Sequence, residues 1–259
     1  MKVFHAEQHR LHAPEQIVVR GAVVPNLEQP GRIDAQRGGD VENFELKRLA
    51  GTEGTILGEG GWEFLDPIGF LNLNLRNKPL DDVRFRKALA HAIDRGFIVR
   101  TIFSGIGRQT NGPFTSRSPF KDTSAEIAYP YDPAKAKALL DEMGLKPNAK
   151  GVRAELKLVP LPYGETWQRL AEFIRECLSE IGVGVTIVST DVPGWYKRIT
   201  AGDFDLAINF VYLLGDAGAD ARSLLHGCLH AGDSRCGCRG RRPGLRQDGT
   251  SEGLSLIHI

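Results

Sequence analysis

Several things are scarce or missing in these 259 residues, and each closes off a class of protein. There is no run of about 18 apolar residues, so no segment reads as a membrane-spanning helix. The opening residues, MKVFHAEQHRLHAPEQ, lack an apolar stretch and do not read as an export signal. Taken alone they point to the cytosol, on the premise that the chain begins where its gene begins. Charge of one sign is missing too: 33 Lys+Arg against 32 Asp+Glu leave +1, so no nucleic-acid partner is expected. Cysteine is nearly absent from the body, because of the four only Cys177 precedes residue 223. No internal repeat of fixed period is visible.

Catalytic motifs are equally thin. Residues 51–61, GTEGTILGEGG, hold five glycines but contain neither the Gly-Lys-Ser/Thr of a phosphate loop nor a G-x-G-x-x-G opening a helix. They read as a flexible turn or a crossing between lobes. No G-x-S-x-G elbow exists, and Ser104 lacks the glycine that should precede it. His91 and Asp94 fall three apart on one helix face and admit a general-base pair; the plainer reading is a partly buried histidine beside a capping acid. Asp203 and Asp205 flank Phe204 at a strand mouth and read as solvated acids. Arg84, Arg86, Lys87, Arg95 and Arg100 are interleaved with acids and read as a solvated helix face. No enzyme and no cofactor is expected.

What is present suffices for a packed core: 41% hydrophobic residues fit one large domain or two small ones, and exclude disorder of the whole chain. Ile17–Val24 is β-branched and ends at Pro25, as a strand does, and 41–50 allows a helical turn or two. Residues 70–75 alternate and predict a strand with one face buried. Asp81-Asp82 then caps a helix carrying Val83, Leu89, Ala90 and Ile93, and Asp94 caps a second reaching Gly105. After a long Gly/Pro/Ser-rich loop at 107–131, Asp132-Pro133 opens the clearest helix, closed by Gly144. A strand at 156–159 follows, then an amphipathic helix with Trp167, Leu170, Ile174, Leu178 and Ile181 on one face. Strand 183–188, a short helix at 193–201 and a last strand carrying Phe204, Leu206, Ile208 and Phe210 complete an α/β lobe.

Beyond Arg222 the periodicity stops. His226, Cys228, His230, Cys236 and Cys238 are all zinc-ligand types and admit a zinc-binding interaction module. Their C-x-C spacing and the lack of apolar packing around them argue instead for a non-native, frameshifted and disordered tail over 223–259. Its last six residues, Leu254 to Ile259, also read as a translated sequencing-adapter end. Within the body, Tyr129, Tyr131, Tyr163, Trp167, Trp195 and Tyr212 suit a ligand cleft. Trp167 sits on the apolar stripe and reads as core, while Trp195 fits core and cleft about equally.

Five blocks in fixed order carry a resemblance. Phe70-Leu71-Asn72-Leu73-Asn74 runs into PLDDVRFRKALAHAIDR at 79–95; YDPAKAKALL at 131–140 precedes Gly144; Ile181-Gly182-Val183 and Gly202-Asp203-Phe204-Asp205-Leu206 follow. Upstream, Ile17-Val18-Val19-Arg20 with Gly38 to Val41 is a degraded match. Together they resemble the family 5 extracellular solute-binding proteins, the dipeptide and oligopeptide binders of ABC importers. The resemblance implies a periplasmic-binding-protein-like α/β fold of type II, the large peptide-binder class, of which this chain is mostly the second lobe. Residues 1–61 would be a remnant of the first lobe with its crossing segment, and 62–222 an incomplete second lobe. It further implies a monomer, a peptide or small-molecule ligand, a membrane permease as partner, and a periplasmic or membrane-anchored extracellular location. Asp216, by its place after the GDFDL block, would meet the ligand's α-amino group, with Tyr212 and Trp195 lining the cleft. Leu213 stands where peptide binders often carry an aromatic residue, so nickel chelates, sugars and opines stay open as ligands, and a non-functional gene fragment is the remaining alternative.

Overall fold

The chain divides into two units, Met1–Gly61 and Trp62–Ile259. The computed structural model describes residues 17–20, 48, 51–52, 55–58, 67–105, 107–112, 128–212 and 254–258. In the first unit, strand β1 (Ile17–Arg20) pairs in parallel with β2 (Thr55–Gly58), Ile17 opposite Thr55 and Arg20 opposite Gly58. The glycine-rich stretch is therefore no simple turn. Between its glycines lie Thr55, Ile56 and Leu57, three residues that favour extended backbone, and β1 supplies the partner. Of the helix expected over 41–50, only Arg48 is described, and it is helical.

The second unit is a five-stranded sheet with helices on both faces. Its strands are β3 (Pro67–Asn74), β4 (Ala154–Val159), β5 (Val183–Ile187), β6 (Leu206–Tyr212) and β7 (Leu254–His258), in the order β5-β4-β6-β3-β7. β4 runs parallel to both β5 and β6, whereas β3 is antiparallel to β6 and β7. The helices are α1 (Val83–Ala92), α2 (Pro133–Glu142), α3 (Glu165–Glu180) and α4 (Val192–Ala201). A one-turn helix, Arg95–Phe97, runs into a π-helical turn at Ile98–Ile102.

Local chemistry explains the helix boundaries. The Asp82, Asp94 and Asp132 carboxylates accept the backbone N–H groups of Arg84 (2.8 Å), Phe97 (2.9 Å) and Lys135 (2.9 Å), donors a helix start leaves unpaired. The Arg84 guanidinium beside Asp82 holds its carboxyl below the usual aspartate range. At the far end of α3, Gly182 adopts φ +83°, and a Cβ there would stand 2.9 Å from the Gly151 carbonyl oxygen. Only glycine fits that turn without strain.

The main core lies on one sheet face. Leu71, Leu73, Leu156, Leu158, Leu206 and Ile208 meet the apolar stripes of α1, α2 and α3, among them Phe85, Leu89, Leu140, Leu170 and Ile174. On the other face, Val159 and Ala207 pack with Ile199 of α4 and with Phe204. Phe204 thus breaks the predicted alternation. It precedes β6 and turns to the face opposite Leu206 and Ile208, because the chain bends at Asp205.

β3 differs from expectation in the same way. Leu71 and Leu73 are buried, but so are Ile68, Phe70, Asn72 and Asn74 of the alternate set. Both faces are covered, Leu71 and Leu73 by the main core and Ile68 and Phe70 in a smaller cluster with Val211. Asn74 is satisfied there, donating to the carbonyls of Gly202 (3.1 Å) and Phe204 (3.0 Å). The basic residues of α1 and its continuation are not all solvated either. Arg86 is buried and donates to the Leu80 and Asp81 carbonyls, both at 3.0 Å. Arg95 donates to the carbonyls of Thr110 and Tyr129, and burial pulls its guanidinium below its ordinary value. These residues tie loops to the helices.

Of the tail read as non-native and disordered, residues 254–258 are the described part. Leu254–His258 pairs antiparallel with β3, with Asn74 opposite Leu254 and Phe70 opposite His258. Five residues dominated by Leu and Ile, without proline or glycine, suit a strand when an edge is available. No helix among the described residues is long and apolar enough to cross a membrane.

Candidate functional site

Because β4, β5 and β6 run in parallel, their carboxyl ends fall along one edge of the sheet, the edge where open α/β sheets place their ligands. The chain leaves β4 through Pro160-Leu161-Pro162-Tyr163 and enters α3 at Gly164, whose φ of +92° makes the sharp turn. That puts Trp167 in the first turn of α3, beside the end of β6. Its ring stacks on Phe210, with centroids 5.8 Å apart and planes at 15°. Phe103 meets Trp167 edge-on at 5.7 Å, and Tyr163 meets Phe210 edge-on at 6.3 Å. Tyr163 is 52% exposed, so this aromatic group reaches the surface rather than closing into core. The exit of β5 is tied to the same helix, Ser189 donating to Gln168 Oε1 at 3.0 Å.

Four residues separate β5 from α4, which is capped by Asp191. Trp195 stands in its first turns, partly buried against both core clusters, and its indole N–H finds no acceptor among the described residues. Tyr212 closes β6 opposite Pro67; its side chain lies outside the described residues, as does Asp216. The structure thus brings Tyr163 and Trp167 together at the strand ends. It separates them from Tyr129, which meets His91 edge-on at 5.5 Å, and from Tyr131. Phe103 and Phe210 are members of the group that the pattern of tyrosines and tryptophans did not single out. Phe210 gave a signal only as the end of an alternating strand.

Of two shallow grooves, one lies where α3 ends and β5 begins and the other runs along the second half of α3. The first, of about 520 Å³, is lined by Arg175, Glu176, Ser179, Glu180, Gly184 and Val185. The second, of about 290 Å³, has Tyr131, Phe173 and Cys177 beside Asp94, Glu176 and Glu180. Desolvation and the neighbouring Glu180 hold the Tyr131 phenol above its ordinary value, and burial pushes the Cys177 thiol up. In the second groove the Tyr131 hydroxyl donates to Glu180 Oε2 at 3.4 Å. The strand-end aromatics are the better candidate, because topology gathers them from three separate stretches of chain.

Catalytic alternatives lose their geometry. His91 is buried, and its Nδ1 lies 2.7 Å from the Pro130 carbonyl oxygen, an acceptor that fixes the proton on that nitrogen. Asp94 is occupied as a cap. Asp205 accepts from Asn77 Nδ2 and from the Lys157 backbone N–H, each at 2.7 Å, while Asp203 pairs with Arg198. These acids are structural. The described residues contain no cluster of three or more metal-ligating side chains, and the His226 to Cys238 group lies outside them.

Comparison with known proteins identifies the family and the fold. Residues 66–234 match the family described as bacterial extracellular solute-binding proteins, family 5 Middle, a span that runs past residue 222. The dipeptide-binding protein of Escherichia coli is 35% identical over 140 residues, covering 52% of this chain and 25% of its own length. The chain therefore spans about a quarter of that relative. An oligopeptide-binding protein of Thermotoga maritima superposes with a TM-score of 0.55 at 25% identity, covering 62% of this chain and 33% of that one. A periplasmic binding protein of Helicobacter pylori, solved with the peptide STSA, gives 0.59 at 22% identity, with 68% and 32% covered, and supports the fold. The β3–α1 motif, the capped α2 and the β6 entry all fall inside the matched span, and the chain belongs to family 5 of the bacterial extracellular solute-binding proteins.

Proposed function

We propose that the whole protein is the substrate-binding component of an ABC importer, capturing a peptide or similar small solute between two lobes and delivering it to a membrane permease. In this reading it works in the periplasm or anchored outside the membrane, as a monomer, with no chemistry of its own. The observation that carries it is the family match over 66–234, which falls on the sheet whose carboxyl edge presents Tyr163, Trp167 and Phe210. Flat aromatic faces suit a ligand backbone and apolar side chains, which they can cover with little loss of side-chain entropy. Trp195 and Tyr212 flank that edge in the chain, and Asp216 follows β6 by four residues. A carboxylate there would form a charge-assisted pair with a ligand ammonium.

One wall of a cleft buries only part of a ligand, so the chain should bind dipeptides more weakly than micromolar. Saturation-transfer NMR with a dipeptide and its N-acetylated form tests the reading. The free amine should give the stronger transfer, and Asp216→Asn should equalise the two. Equal transfer from both forms to the unaltered chain would remove Asp216 from the site.

A further inference from the structure

The far end of α3 carries charge of the wrong sign. A helix C-terminus bears partial negative charge and favours basic residues, yet the last turn of α3 has none and closes on Glu180. Glu176 stands one turn before it, and like charges four residues apart on a helix repel each other. Asp94, from the turn that follows α1, brings a third carboxylate to the same groove. Arg100 reaches toward Asp94 beside Gly96 but does not line the groove. Among the described residues no Lys, Arg or His lines it, and neither glutamate has a basic partner. Local preferences are broken in this way mainly where function requires it.

The rest of the groove is aromatic. Phe97 and Phe173 stack with centroids 4.5 Å apart and planes at 17°. Tyr131 is 47% exposed and bonded through its hydroxyl to Glu180. The groove's own groups register its surroundings: burial chiefly, with the Glu180 and Asp94 carboxylates adding to it, holds the Tyr131 phenol and the Cys177 thiol above their ordinary values.

We propose that this groove is a docking site for an arginine side chain presented by a partner protein. A guanidinium suits it on two counts: its charge offsets Glu176 and Glu180, and its flat face can lie on Tyr131 or Phe173. An ammonium meets the charge but lacks the plane. A free amino acid would stay largely uncovered in so shallow a groove, and its own carboxylate would be repelled. A side chain borne on a protein avoids both costs. The surface around it can rest beyond the two glutamates, on Ser179, Gly184 and Val185 of the neighbouring groove. The site is independent of solute binding at the strand ends, since a zwitterionic dipeptide brings the same repelled carboxylate.

Ring-proton shifts of Tyr131 and Phe173 in the full chain, titrated with the blocked peptide acetyl-Gly-Arg-Gly-amide, test the proposal. Both rings should shift saturably at millimolar concentrations. A citrulline peptide keeps the plane without the charge, and a lysine peptide keeps the charge without the plane. Each should bind about threefold more weakly or worse, as should free arginine, which is the weight of exposed ion pairs and stacked cations. Glu176→Gln combined with Glu180→Gln should weaken the arginine peptide by about threefold or more. Glu165→Gln, at the other end of α3, removes one charge from the same helix and should leave binding unchanged. Without peptide the double variant should melt higher, because the like-charge repulsion is gone, whereas a structural role for the glutamates would lower its melting temperature. Four results would overturn the proposal: a citrulline or lysine peptide matching the arginine peptide, free arginine matching it, Glu165→Gln weakening binding as much as the double variant, or a lower melting temperature for the double variant.

Discussion

Asn72 and Asn74 sit two residues apart on β3, are both buried, and should respond oppositely to substitution. Asn74 donates to two carbonyls, whereas neither end of the Asn72 amide has a partner among the described residues. Burying an amide without hydrogen bonds costs about 1–3 kcal/mol, and an apolar side chain of similar size avoids that cost. Asn72→Leu should therefore raise stability by about 1–2 kcal/mol, and Asn74→Leu should lower it by at least as much. Urea midpoints of the two variants against the unaltered chain check this; a loss at both positions would mean that Asn72 is satisfied after all. The sequence pattern could not separate these two residues. Both stand at the polar positions of an alternating strand, and what distinguishes them is a turn at Gly202 to Phe204, more than a hundred residues downstream. Helix caps are the contrasting case. Asp82, Asp94 and Asp132 were readable because a cap bonds to an N–H two or three residues away.

Among the elements, those held by local chemistry were legible and those held by distant partners were not. α2 follows directly from Asp132, Pro133 and Gly144, and α3 from its apolar stripe. β2 and β7 escaped because each exists only through the strand beside it, β1 in one unit and β3 in the other. The double burial of β3 escaped because what covers its second face, Val211 among it, is distant in the chain. Asp205 shows how the elements are joined. Its carboxylate takes N–H groups from Asn77, just past β3, and from Lys157 within β4, and its backbone bonds to Asn74 and Lys157 as well. Asp205→Ala should cost about 1–2 kcal/mol, since it removes two side-chain hydrogen bonds at a strand junction. Its neighbour Asp203 is half exposed and paired with a half-exposed Arg198, so Asp203→Ala should cost about 0.5 kcal/mol or less. Equilibrium denaturation of the pair measures the difference, and equal losses would refute the junction role of Asp205.

For the molecule as a whole, the fold and the family were visible in five ordered blocks, while the site was visible only in part. Tyr163 and Trp167 could be named as aromatic, but their union with Phe103 and Phe210 depends on β4 and β6 running side by side. The account's central claim is that this carboxyl edge meets the solute. Indole N–H resonances report on it directly, because Trp167 belongs to the stack and Trp195 heads the neighbouring helix. In a two-dimensional ¹H–¹⁵N spectrum of the full chain titrated with a dipeptide, the Trp167 or Trp195 indole peak should move progressively in fast exchange at millimolar concentrations. Phe173, which lines the groove along the second half of α3, should stay still when followed by its ring protons. Movement at Phe173 with both indoles unchanged would contradict the account and place the solute in the groove along α3.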